Sequence, residues 1–126
     1  MRALVLDAGA FVAAERGDRR MLARLGAAHR HGIDLRASAV VVGQVWRDGR
    51  RQATLSRLLR SVDVRGVRRE DGHAAGELLA RSNSSDVIDA ACVLLATDGD
   101  AIVTSDPSDL RRLIEAADLK IAIIAC

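Results

Sequence analysis

The chain has 126 residues, 49% of them apolar, with 19 basic and 17 acidic side chains and a formal charge of +2. That size suits a single domain over residues 1–126 with one core, and the near balance of charge excludes a global basic field that would by itself announce nucleic acid. Phe11 and Trp46 are the only aromatic residues, so the core is expected to be aliphatic.

Residues 3–6 form a short apolar run that reads as a buried strand ending at Asp7, followed by a helix over 8–14. Asp18 is placed to cap a second helix over 20–29, with Leu22, Leu25 and Ala28 as its apolar stripe. A short strand follows at 35–37, and Ser38 then caps a helix over 39–47. The stretch 54–60 is helical by period, with Leu55, Leu58 and Leu59 on one face. Residues 62–67 alternate apolar with polar, as a strand near a sheet edge does. An amphipathic helix over 70–80 carries Ala74, Leu78 and Leu79, and the almost wholly apolar 87–96 is expected to be a central, buried helix. A strand at 101–104, a helix at 107–116 and a strand at 121–125 complete the chain. Strands alternating with helices imply parallel crossovers, hence a three-layer α/β/α sandwich around a mostly parallel sheet.

Pro107 is the only proline, and there is no linker, repeat or low-complexity tract. Cys92 and Cys126 lack the spacing of a zinc site or a disulfide framework, and Cys92, in an apolar run, reads as a reduced core residue. His29, His31 and His73 are scattered without metal-ligand spacing. Residues 1–6 are too short for a signal peptide, and no apolar stretch reaches membrane-spanning length, so a soluble cytoplasmic protein is expected. The basic residues are nearly all arginine, with Lys120 the sole lysine. Arginine forks phosphates well, but a GC-rich genome produces the same bias.

Carboxylates stand where strands end and helices begin. Asp7 follows the first strand, Asp86 and Asp89 open the apolar helix three residues apart, and Asp106 and Asp109 follow the strand at 101–104. Each has a capping role open to it: Asp7 and Asp86 at helix starts, Asp89 as charge in a first turn, and Asp106 before a proline at the first helical position. Together, however, Asp7 and Asp106 fall at the carboxyl ends of parallel strands, where ligands gather in open α/β sheets. Carboxylates that close do not all stay ionised without a cation, and an all-oxygen set suits Mg²⁺ or Mn²⁺. Such an ion polarises a phosphoryl oxygen and acidifies a bound water.

Three segments carry a resemblance: Ala3-Leu4-Val5-Leu6-Asp7, Ser85-Asp86-Val87-Ile88-Asp89-Ala90-Ala91, and Ile102-Val103-Thr104-Ser105-Asp106-Pro107. In this order and with these gaps the chain resembles PIN-domain proteins, particularly VapC-like toxins of type II toxin–antitoxin pairs. The resemblance implies a parallel sheet with an acidic pocket, Mg²⁺- or Mn²⁺-dependent endoribonuclease activity, a cognate antitoxin and a homodimer. It makes Asp7, Asp89 and Asp106 the catalytic acids and metal ligands, Asp86 an accessory metal-binding acid, and Thr104 and Ser105 hydroxyl residues lining the pocket. The family's second acidic position, a glutamate, is matched here by Gln44 in the segment 38–47. An amide oxygen ligates without bringing charge, so weaker metal binding is implied, with Asp48, one helical turn on, as a partial substitute. Arg47 and Arg51 follow at helical spacing, either as contacts for RNA phosphates or as a solvated face.

Two further functions compete with an active ribonuclease. One is a catalytically weakened or inactive PIN-fold module that binds RNA or protein, which Gln44 favours. The other is a phosphoacceptor receiver domain, disfavoured because Asp7 stands alone after the first strand and the run 62–67 ends in Arg68-Arg69.

Overall fold

Short aliphatic runs separated by helix-period segments fold as a right-handed succession of strand, helix and strand. The computed structural model describes residues 1–126. In chain order the elements are β1 (Ala3–Leu6), α1 (Ala8–Glu15), α2 (Arg19–Arg30), β2 (Asp34–Ser38), α3 (Ala39–Val45), α4 (Ala53–Leu59), β3 (Val62–Arg65), α5 (Arg69–Ser82), α6 (Val87–Val93), β4 (Ala101–Thr104), α7 (Pro107–Ala116) and β5 (Ala122–Ala125). The five strands are ordered β3-β2-β1-β4-β5 and every pairing is parallel.

This order fixes the layers. The chain steps from β1 through β2 to β3 in one direction, so right-handed crossovers put α1 to α4 on one face. It then jumps back past β1 to β4 and continues to β5, which puts α5, α6 and α7 on the other. The architecture is the expected α/β/α sandwich. β1 and β4 are buried at every position, as runs of Ala, Leu, Val and Ile in a sheet centre should be. The expected edge strand is indeed at the edge: β3 buries only Val62. No helix is long and apolar enough to cross a membrane.

Several expectations are corrected in detail. The stripe of α2 is Met21, Leu25 and Ala28, while Leu22 is 45% exposed. The buried pair on α5 is Ala75 and Leu78, one position round from Ala74. The helix over 87–96 stops at Val93 and is buried only on its Ala90, Cys92 and Val93 side, with Val87 left exposed at its start. Its end is held by Arg36, whose guanidinium donates to the Leu95 carbonyl at 3.0 Å.

The largest correction concerns the helix over 39–47. It ends at Val45, and Trp46 turns to extended backbone. The cause is Gln52, whose Oε1 accepts from the N–H groups of Arg47 (2.7 Å) and Asp48 (3.0 Å), while its Nε2 donates to the Val45 carbonyl at 2.8 Å. One side chain thus satisfies backbone groups that a longer helix would have paired. Arg47, Asp48 and Arg51 consequently do not continue the helical face that carries Gln44.

Candidate metal-binding and hydrolytic site

The strand order reverses at β1 and β4, and the crevice at their carboxyl ends is where such sheets bind ligands. Register delivers the site residues there. Leu6 is opposite Val103, and the ladder runs one step further through a 3.0 Å bond from the Asp7 N–H to the Val103 carbonyl. Asp7 and Thr104 therefore emerge side by side. Thr104 Oγ1 donates to Asp7 Oδ2 at 2.8 Å and accepts from the Asp106 N–H at 2.9 Å, linking the two acids through one hydroxyl. Asp7 is only 5% exposed. Its Oδ1 accepts from the Ala8 N–H at 2.8 Å, and the Cys92 thiol donates to the same oxygen at 3.9 Å. Ser105 lies against Gly9, where a Cβ would stand 2.7 Å from the Ser105 hydroxyl, so glycine is what lets the two loops close on each other.

The capping roles are realised unequally. Asp86 Oδ1 accepts from the N–H groups of Ile88 (2.9 Å) and Asp89 (3.1 Å), a true N-cap of α6. Asp106 occupies the cap position of α7 ahead of Pro107, yet its side chain makes no capping bond. The carboxylates of Asp89 and Asp106 accept no hydrogen bond within the chain, leaving them free to turn toward a ligand.

Asp89 feels the charge of the other acids. Burial pushes Asp89 up to about 7, and the charges of Asp86, Asp7, Asp106 and Asp109 push it the same way. Burial also raises the Cys92 thiol, aided by Asp7 and Asp89, so Cys92 stays protonated and keeps its proton to donate. The acids nevertheless do not close around one point: no three Asp, Glu, His or Cys side chains stand in ligating geometry. The all-oxygen donor set and its mutual repulsion fit a hard divalent cation in chemistry.

Beside Asp86 and Asp89, a cavity of about 340 Å³ opens between the 83–86 loop and α7. Gln44 is on the exposed side of α3. Arg47 folds back onto the Gly43 and Trp46 carbonyls at 3.0 and 2.7 Å, and Arg51 lies 3.9 Å from Asp48, both well exposed. Sequence reasoning missed Cys126, whose N–H bonds to the Thr104 carbonyl at 2.9 Å. Burial, then Asp7, Asp18 and Asp106, raise its thiol, which puts it on the same rim. Only the β4–β5 register reveals that neighbour, and β5 carries no motif.

No protein-family model matches the chain, and no curated protein matches it. Among solved structures it is similar to a chain of the crystal structure of VapBC2 from Rickettsia felis bound to a DNA fragment from its promoter. The identity is 14%, with 97% of this chain and 98% of that one covered, at a TM-score of 0.72. The polypeptide therefore has the PIN-like three-layer fold shared with that VapBC2 chain.

Proposed function

We propose that the chain is a metal-dependent endoribonuclease that hydrolyses RNA phosphodiester bonds, the toxin of a VapBC-like pair, held in check by a cognate antitoxin and acting as a cytoplasmic homodimer. What carries the reading is the placement of Asp7 and Asp106 at the carboxyl ends of β1 and β4, joined through the Thr104 hydroxyl, with Asp89 raised first by burial and then by the charges of Asp86, Asp7, Asp106 and Asp109. Its likeness in fold to a VapBC2 chain supports the toxin–antitoxin part.

Asp7, Asp89 and Asp106 would hold Mg²⁺ or Mn²⁺, with Asp86 as an accessory acid. When bound, the ion supplies a polarised phosphoryl oxygen and an acidified water. The chain's own residues prepare this. Thr104 donates to Asp7 and so fixes its orientation. The Ala8 N–H holds the other oxygen, so Asp7 is oriented before any ligand arrives. Asp89, uncharged in a large fraction of molecules near neutral pH, has a proton to release when a cation enters. Gln44 brings no charge, which favours weak metal affinity and keeps the inactive binding module as the second reading.

The test is cleavage of mixed RNA by the purified chain in Mg²⁺, in Mn²⁺ and in EDTA. Cutting that needs the metal supports the enzyme. RNA or antitoxin binding without cutting under any metal favours the binding module, and a gain of cutting in Gln44→Glu would then identify the missing charge as the cause.

A further inference from the structure

Resting on the nuclease reading, we propose that the cavity between the 83–86 loop and α7 is a nucleotide subsite. Arg112 holds the phosphate of the nucleotide next to the scissile bond, and Asn83 and Ser85 face its sugar or base. The cavity, about 340 Å³, shares Asp86 and Asp89 with the acidic crevice. A group seated in it is therefore directly beside the reacting centre, and its size falls within the range of small-ligand pockets. Only one of its eight lining residues is hydrophobic, so it suits a polar occupant.

Arg112, Asn83 and Ser85 are uncommitted. Arg112 takes part in none of the ion pairs of the chain, although Asp109 precedes it by three residues on α7. A guanidinium carries five donors in a rigid fork that matches a phosphate. Asn83 ends α5 in the left-handed conformation, φ 53 and ψ 45, and this turn swings the 83–86 loop across the cavity. The Asn83 amide and the Ser85 hydroxyl point to no partner within the chain, in contrast to Ser84, which reaches the Ser82 carbonyl at 3.4 Å. Amide and hydroxyl groups that both donate and accept suit the edge of a base or a ribose hydroxyl.

The charge count sets a condition. Asp86, Asp89 and Asp109 face a single arginine here, so a phosphate enters favourably only when a divalent cation offsets the acids. Nucleotide and cation should therefore strengthen each other's binding.

Calorimetry tests this with the four 5′-ribonucleoside monophosphates and with inorganic phosphate. Each is titrated into wild type, Arg112→Ala, Arg112→Lys and Asn83→Gly, in Mn²⁺ and in EDTA, while KM and kcat are measured for RNA cleavage. Nucleotides should bind wild type in Mn²⁺ and not in EDTA. Arg112→Ala should weaken them about tenfold or more, with a matching rise in KM, and Arg112→Lys should recover part of it. Asn83→Gly keeps the left-handed turn and should alter the ranking among the four nucleotides. If Arg112→Ala binds nucleotides and cleaves with the wild-type KM, the subsite is overturned and the nuclease reading survives. If wild type cuts no RNA but nucleotide binding is still lost in Arg112→Ala, the subsite stands and the nuclease reading fails. Absence of nucleotide binding to wild type, or phosphate binding as tightly as the nucleotides throughout, overturns the subsite.

Discussion

The two ends of β4 each hold an aspartate system, and they use the same chemistry to opposite ends. At the amino end, Asp100 is 2% exposed. It accepts from the N–H groups of Arg2 (3.2 Å), Ala3 (3.0 Å) and Thr97 (2.9 Å) and from the Thr97 hydroxyl (3.1 Å). Burial alone pushes its pKa up, but the donors from Thr97, Ala3 and Arg2 win and hold it below the usual carboxylate value. At the carboxyl end, Asp89 has no such donors and other carboxylates for neighbours, and it is pushed up to about 7. A carboxylate whose lone pairs are all engaged by the chain is structural. One left crowded by other carboxylates and without donors awaits something from outside.

The comparison breaks most severely if the acids of the carboxyl rim prove silent. Asp7→Asn and Asp106→Asn should each lower RNA cleavage by about a hundredfold or more. Melting temperature should change little in Asp106→Asn, whose side chain makes no capping bond, and fall only modestly in Asp7→Asn, where the amide oxygen keeps the bond from the Ala8 N–H while the amide NH2 must donate to the Thr104 hydroxyl instead of accepting from it. Loss of folding in parallel with loss of cutting would return both residues to a structural role.

Asp100→Ala should do the reverse. Four donors lose their acceptor, which costs about 2–4 kcal/mol of stability by denaturant titration, while cleavage per folded molecule stays at the wild-type level. The folded-state pKa of Asp100 lies below that of the unfolded chain. Its contribution is therefore present above the unfolded value and is lost as pH falls through the depressed one. Wild type and the variant should accordingly converge in stability in strong acid.

Gln44→Glu sharpens the contrast by adding a charge to the functional end. If Gln44 faces a bound cation, the new carboxylate should tighten Mn²⁺ by about tenfold in calorimetric titration. Equal affinities would show that this exposed position does not reach the ion.

Much of this was legible beforehand because strand ends and helix starts are marked by local chemistry. The run 3–6 before Asp7, the Asp106-Pro107 start of α7 and the Ser38 cap each signal their place through residues a few positions apart, and the structure has all of them. What was not legible depends on contacts across the chain. Gln52 ends α3 by reaching back seven residues to Val45, and no helical period encodes that. Asp100 sits in the turn Thr97-Asp98-Gly99-Asp100, which reads as loop chemistry until the N-terminal strand is laid beside it, 97 residues away at Ala3. The unequal capping by the acids was not legible either, because only backbone geometry decides whether Asp86 or Asp106 turns its oxygen inward.

The smallest effect is also the most diagnostic, because it reads the crowding of the rim without any catalysis. Asp89 is raised first by burial and then by Asp86, Asp7, Asp106 and Asp109, to about 7. In the unfolded chain it titrates near ~4. Between those values the unfolded chain gives up a proton that the folded chain keeps, so rising pH disfavours folding across that window and the loss levels off above it. Asp89→Asn has no proton to release and escapes the penalty. In EDTA its melting temperature should match wild type near about pH 4.5 and exceed it by a few degrees at about pH 8, a modest gain because Asp89 is only half-buried and water screens the repulsion. Adding Mn²⁺ at the higher pH should stabilise wild type more than the variant, since a cation relieves the repulsion that the substitution has already removed. A difference between the two proteins that does not vary with pH would mean that Asp89 ionises like any surface carboxylate, and the contrast with Asp100 would then be one of burial alone.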